Sequence, residues 1–245
     1  MLRRHQRLAR AILLRRAAAC DAKSRPAANR FLQLGVRPDK VFLAPHSSTL
    51  EPLWQVARRR DYTDRDPITV MTAARLVPHK GVDRLLAAAG RAEARERLRL
   101  VVAGSGPEEP RLKALAGDLG LDVRFCGFVA HERMPALYAE ADVFAFPTFE
   151  DPFGIALLEA GAAGLPLVSS HHAGASWDLI DGDESGVIVD PDATEAFAGA
   201  LSELAADPAL RMRLGRNAHR ATLSRSPLDS ARGYVAAVES SLSSP

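Results

Sequence analysis

Val143-Phe144-Ala145-Phe146-Pro147 runs directly into Thr148-Phe149-Glu150-Asp151-Pro152-Phe153-Gly154, and then into Ile155-Ala156-Leu157-Leu158-Glu159-Ala160-Gly161-Ala162-Ala163. The first segment is an unbroken apolar run, the form of a strand covered on both faces. The second holds two acids and a Pro-Phe-Gly turn. The third reads as a helix with Glu159 on its second turn. Strand, tight loop and helix N-terminus in succession form the layout in which α/β proteins hold phosphorylated or polyhydroxy ligands. Phe153, Gly154 and Ile155 stand where the first backbone amides of the helix lack partners. Three carboxylates, Glu150, Asp151 and Glu159, have little structural use in such a setting. The helix is apolar nearly all round, so an unpaired Glu159 would cost several kcal/mol. A ligand hydroxyl, or a cation such as Arg75 or Lys80, is expected to compensate.

Working outward, the same rhythm repeats. Apolar strands are expected at 68–74, 98–104, 123–127, 143–147, 167–170 and 187–189. Helices are expected between them at 82–97, 107–119, 132–141 and 155–163, and after them at 194–206, 208–222 and 228–242. Strands alternating with helices predict an α/β fold, a parallel sheet sandwiched by helices. Residues 51–66 are polar and charge-rich, and read as a linker. Before them, a helix at 26–32 and a short strand at 40–45 form a piece too small for its own core.

Bulk properties exclude several classes. A net charge of +2 leaves no nucleic-acid footprint at the whole-chain level. Cys20 and Cys126 suit neither a disulfide framework nor a metal site, which points to a reducing, cytoplasmic compartment. No run approaches a membrane span, and the N-terminus lacks a secretory signal pattern. Met1 to Arg16 interleaves six arginines with leucines and an isoleucine. As a basic amphipathic helix it would suit peripheral contact with the inner membrane face; as a solvated helix it needs no partner.

In a parallel sheet, ligands bind beyond the carboxyl ends of the strands. After the first strand, Arg75 and Lys80 flank a turn and suit a diphosphate, Arg as a fork and Lys as a point charge. After the second, Gly104-Ser105-Gly106 lets backbone amides approach an anion, or simply turns the chain into a helix. Glu109 stands where the dinucleotide fingerprint needs its last glycine, which disfavours a nicotinamide cofactor. His171-His172 disfavour a metal, because adjacent side chains diverge on most backbones and no third ligand has suitable spacing, and their loop, 171–178, reads as a pocket wall. Asp151 and Glu159 lie about 12 Å apart at roughly 1.5 Å per helical residue. That spacing suits a ligand with hydroxyls at both ends of a diphosphate, which describes a sugar nucleotide.

These motifs together resemble the group 1 (family 4) retaining glycosyltransferases. Arg75-Leu76 with Lys80-Gly81, Gly104-Ser105-Gly106, Asp151 to Glu159, and Gly174 to Asp178 follow the family's order over roughly residues 65–225. The resemblance implies the C-terminal, donor-binding half of a GT-B fold, a Rossmann-like parallel sheet. It implies that Arg75 and Lys80 bind the donor diphosphate and that Glu159 holds the ribose hydroxyls. The acid at 151 or 150, with the Phe153 and Gly154 amides, would hold the donor sugar. A hexosyl group would be transferred with retention and without a metal or other cofactor. Two departures stand out: the family's first glutamate is Asp151 here, with Glu150 displaced by one, and its strand-end glycine is Ala74.

The resemblance also implies a division of the chain. Residues 1–60 resemble the end of the N-terminal GT-B domain plus linker, 61–226 the donor domain, and 227–245 a helix returning to the N-terminal domain. That domain would supply the acceptor site, in trans or in a longer chain. The alternative is a sugar-nucleotide-binding module or partner subunit that transfers nothing.

Overall fold

The computed structural model describes residues 4–180 and 184–243. The chain divides into two compact units, one spanning Leu50–Leu223 and the other joining Met1–Thr49 to Ser224–Pro245.

The larger unit is the expected parallel sheet. Its strands are β3 (Ile68–Ala73), β4 (Leu98–Ala103), β5 (Asp122–Gly127), β6 (Val143–Phe146), β7 (Leu167–Ser170) and β8 (Gly186–Val189), ordered β5-β4-β3-β6-β7-β8. Every pairing is parallel. The strands are apolar without alternation because both faces are buried. Ile68, Val70, Leu100, Val102, Val143 and Ala145 point into one core. Met71, Ala73, Val101, Ala103, Phe144 and Phe146 point into the other. Helices α4 (Val82–Arg91), α5 (Glu109–Asp118) and α9 (Thr194–Ala206) contribute to the first core. Helices α3 (Glu51–Arg59), α6 (Met134–Glu140), α7 (Ile155–Ala162) and α8 (Ser176–Leu179) contribute to the second, and α10 (Pro208–Thr222) places Leu214 in one and Ala218 in the other.

This order is the doubly wound arrangement, in which strand succession reverses at one point and ligands bind there. The reversal lies between β3 and β6, which pair through Val70–Val143 and Met71–Phe144. The loops that leave these two strands carry Lys80 and Asp151.

The stretch 51–66, expected as a linker, begins with α3, a helix with Leu53 buried. Its arginines face outward, while Leu53, Trp54 and Val56 meet the second core. Arg60, just past the helix, donates to the carbonyls of Ala163 (2.8 Å), Ala141 (2.6 Å) and Tyr138 (2.6 Å). The charge in this segment is thus partly a set of helix caps. The unit accordingly begins at residue 50 rather than 61, and ends at 223 rather than 226. Three expected helices are also shorter: 82–97 stops at Arg91, where Ala92 turns extended, 107–119 spans only Glu109–Asp118, and 132–141 opens with a 3₁₀ turn at His131–Arg133.

The smaller unit contains α1 (Arg4–Arg16), β1 (Cys20–Ala22), α2 (Arg25–Gln33), β2 (Val41–Leu43) and α11 (Pro227–Ser243). β1 and β2 form a two-stranded parallel sheet. Ser24 caps α2 by accepting from the Ala27 amide at 3.3 Å. α11 returns to pack on this sheet, and a Cβ on Gly233 would lie 2.2 Å from the Leu43 carbonyl oxygen. Lys23 bonds Asp21 and the Tyr234 hydroxyl and lies 3.9 Å from the Tyr234 ring centroid, which ties the early and late segments together. Of the stretch proposed for membrane contact, Met1 to Arg3 lie outside the described residues.

Candidate functional site

At the point of reversal, the loop after β3 ends in a 3₁₀ turn, Pro78–Lys80, closed by Gly81 at φ 66°. A Cβ on Gly81 would lie 2.0 Å from the Pro147 carbonyl oxygen. Glycine therefore lets the β3 loop press against the exit of β6. Two further bonds join these loops: the Phe149 amide and the Thr148 hydroxyl both donate to the His79 carbonyl, at 2.8 and 3.1 Å. The Glu150 carbonyl lies 3.0 Å from the same hydroxyl and shares its one proton.

This brings Lys80 onto the acidic turn. Its ammonium donates to Asp151 Oδ2 and to the Glu150 carbonyl, both at 2.9 Å. Asp151 Oδ1 accepts from the Phe153 amide at 3.1 Å. Both oxygens of Asp151 are thus engaged, one by the expected phosphate cation and one by a backbone donor expected to be unpaired. The Gly154 amide makes no hydrogen bond among the described residues, and Gly154 itself opens α7 at φ 97°. Phe153 is buried, and Ile155 and the Glu150 side chain are exposed.

The loop after β7 braces this turn from behind. The Asp151 amide donates to the His172 carbonyl at 3.3 Å, and the Gly174 and Ala175 amides donate to the carbonyls of Asp151 and Phe153 at 3.1 and 2.6 Å. The two histidines do not diverge as expected: the His171 and His172 rings lie against each other with centroids 3.9 Å apart, and Trp177 Nε1 donates to the His171 carbonyl. The segment builds one wall of the turn.

Arg75 is exposed and has no hydrogen-bonding or ionic partner among the described residues. Its neighbours are tightly held. The Leu76 amide donates to the Ser105 carbonyl and the Glu108 amide to the Leu76 carbonyl, each at 3.0 Å. A Cβ on Gly104 would lie 1.9 Å from the Ala74 carbonyl oxygen, and one on Gly106 would lie 2.3 Å from that of Leu76. The two glycines let the loops after β3 and β4 touch backbone to backbone. The Gly104 amide is spent on the Gly127 carbonyl at 2.8 Å.

Glu159 is buried, as the apolar faces of its helix require. Its compensation comes from neither Arg75 nor Lys80. Tyr138 on α6 donates its hydroxyl to Glu159 Oε2 at 3.0 Å, and His131 Nδ1 lies 3.7 Å from Oε1. Neither residue carried a sequence signal. Tyr138 sits in an ordinary helical pattern, and its approach to Glu159 is fixed only when α6 and α7 pack together. Three other concavities are lined by Pro52, Arg60 and Arg65, by Thr69, Arg99 and Asp122, and by Arg91, Glu195 and Ser202. The second of these lies at the amino ends of the strands, away from the reversal.

Residues 57–221 match the family model of the glycosyl transferases, group 1. The chain belongs to that family. The lipopolysaccharide core biosynthesis glycosyltransferase LpsE of Rhizobium meliloti is 37% identical over 166 residues, 67% of this chain and 47% of its own. The GDP-mannose-dependent alpha-(1-6)-phosphatidylinositol monomannoside mannosyltransferase of Mycobacterium tuberculosis is 35% identical over 167 residues, 64% of this chain and 43% of its own. HepE of Anabaena, solved in complex with UDP, shares the fold at a TM-score of 0.81 and 20% identity, over 98% of this chain and 68% of its own. This group 1 glycosyltransferase chain therefore spans about half the length of the curated relatives it matches. Its larger unit is the Rossmann-like half of a GT-B fold.

Proposed function

We propose that residues 50–223 form the donor-binding half of a retaining, sugar-nucleotide-dependent hexosyltransferase. The observation that carries this reading is the meeting of Lys80 with the Asp151 turn at the reversal of strand order, 2.9 Å apart. Lys80 and the open helix N-terminus at Gly154 follow the carboxyl ends of the central strands β3 and β6, and the buried carboxylate of Glu159 lies on the helix that starts there. A diphosphate suits Arg75, Lys80 and the first turn of α7, a ribose diol suits Glu159, and the donor sugar suits the 150–154 turn. Arg75 and Lys80 would neutralise the charge that develops on the departing diphosphate, the role a metal clamp serves elsewhere. Transfer is therefore expected to need no metal and to survive chelation by EDTA.

The acceptor would be held by an N-terminal domain, supplied in trans or in a longer chain. A second reading, a sugar-nucleotide-binding module without transfer, is favoured by Asp151, whose two carboxylate oxygens are already held by Lys80 and the Phe153 amide. In α1, exposed Arg10 and Arg16 beside exposed Ile12 and Leu13 support contact with an anionic membrane surface, which co-sedimentation with acidic vesicles would test.

Calorimetry with UDP-, GDP- and ADP-sugars tests the donor site. Binding of at least one in the micromolar to millimolar range is expected; the absence of any binding at millimolar concentration would overturn both readings. Nucleotide release from a bound donor, measured with and without a candidate acceptor half, then separates transfer from binding.

A further inference from the structure

The reading above leaves one side chain at the site without a role. Tyr138 is completely buried, and its hydroxyl lies 3.0 Å from Glu159 Oε2 and 3.3 Å from the Ala156 carbonyl oxygen. It has one proton to give, and the carboxylate is the stronger acceptor. Burial, and then the negative charge of Glu159, push the phenol well above its ordinary value of 10, so it stays a donor.

The ring cannot swing away. It packs at a tilt on Phe144, centroids 5.9 Å apart, and its own carbonyl is held by Arg60 Nη2 at 2.6 Å. A phenylalanine would fill the same apolar space without placing a hydroxyl beside a buried carboxylate. The other oxygen, Oε1, faces exposed His131 at 3.7 Å, in the turn that follows β5. The carboxylate is thus gripped on its inner oxygen and directed by its outer one toward the carboxyl ends of the strands.

We propose that Tyr138 is a positioning residue for recognition of a vicinal diol: it fixes Glu159 so that Oε1 meets the ribose 2′- and 3′-hydroxyls of a nucleoside diphosphate. The proposal rests on the donor-site reading. Tyr138 touches no ligand and acts through Glu159, so its loss removes discrimination between ribose and its deoxy forms, leaving the phosphate contacts of Arg75 and Lys80 in place.

The test uses the full chain and whichever of UDP, GDP and ADP binds it, each compared by calorimetry with its 2′,3′-dideoxy counterpart. The parent is expected to prefer the ribonucleotide by about tenfold or more, as loss of hydrogen bonds to a charged acceptor requires. Tyr138→Phe is expected to reduce that preference to about threefold or less, with dideoxynucleotide affinity unchanged. 4-Aminophenylalanine at position 138, which keeps a donor, is expected to restore the preference. Where the phenylalanine variant does not fold, 4-fluorophenylalanine keeps the shape and removes the donor. An undiminished ribose preference in a folded donor-less variant overturns the proposal, as does an equal loss of both nucleotides. A parent that binds no nucleotide overturns the donor-site reading itself, and the proposal with it.

Discussion

Lys80 and Asp151 close on one another across the reversal of strand order, and each is only partly exposed, 15% and 20% of the side chain. At that burial solvent screens the pair only weakly, and removing one partner leaves the other largely buried. Lys80→Ala is therefore expected to cost about 1–3 kcal/mol of unfolding free energy, because Asp151 Oδ2 and the Glu150 carbonyl lose this donor. The same change removes a charge-assisted bond to a diphosphate, worth about 1.5–3 kcal/mol, so nucleoside diphosphate affinity should fall roughly ten- to hundredfold. Calorimetry and urea denaturation of one variant check both halves. Asp151 is one methylene shorter than glutamate and has both oxygens engaged, which makes it a brace for Lys80 and for the Phe153 turn. Gly81 acts through the backbone alone. Its φ of 66° and the 2.0 Å approach of the Pro147 oxygen leave no room for a side chain. Gly81→Ala should cost about 2 kcal/mol or more in denaturant unfolding, through strain and a backbone clash.

Tyr138 also carries a pH dependence. Its folded value lies above 10, so the proton is held more tightly in the folded chain than in the unfolded one. The stability this represents is fully present below about pH 10 and is lost as pH rises through the folded value. Tyr62 is shifted the same way by burial, while Arg60 is pulled down to about 10, so the parent's alkaline limb is composite. Guanidinium unfolding at a series of values from pH 8 to 11 should show a shallower alkaline decline in Tyr138→Phe than in the parent. Identical slopes would mean that Tyr138 is not held in this way.

At the scale of elements, Arg60 shows why a charged segment is no linker. Its guanidinium caps the C-terminal ends of α6 and α7, where unpaired carbonyls and the helix dipole favour a cation. Arg60→Met keeps the stem and leaves the carbonyls of Tyr138, Ala141 and Ala163 without this donor. A loss of about 2–4 kcal/mol is expected, since unpaired buried acceptors each cost about 1–3 kcal/mol and part of the surface rehydrates. Because α6 carries Tyr138 and α7 carries Glu159, the variant should also weaken nucleotide binding. Thermal unfolding and calorimetry measured on the same sample would test the two together.

At the scale of the whole chain, the two units rest on unequal foundations. The larger has a six-stranded sheet buried on both faces. In the smaller, β1 and β2 are three residues each, and α11 leaves Leu228, Val235, Val238 and Leu242 exposed. Local opening free energy follows buried contact density. Amide exchange at β1 and β2 should therefore be faster than at the centre of β3, β4 and β6 by at least about tenfold, and equal protection would contradict this division.

The sheet was legible because a strand buried on both faces must be apolar throughout and must alternate with helices to cover it. Val143–Phe146 and Leu98–Ala103 carry that pattern in their residue types alone. The strand-end positions of Lys80, Asp151 and Glu159 were legible for the same reason: they interrupt an apolar rhythm where a loop begins or inside a helix with no polar face. Helix α3 was not legible, because its three core-facing residues, Leu53, Trp54 and Val56, stand among Glu51, Gln55, Arg58 and Arg59 and run on into the charged stretch that follows.

The amino-acid sequence by itself determined the α/β class, the family, and the strand ends at which the polar groups stand. Those features follow from local periodicity and residue type, which each segment carries wherever it is placed. Only the tertiary structure decided which groups meet. Strand order brings Lys80 to Asp151 from 71 residues away, and helix packing gives Glu159 the Tyr138 hydroxyl across 21. Hydrogen bonds act over about 3 Å and carry no trace of their partners along the chain, so which group meets which is settled only when the elements pack.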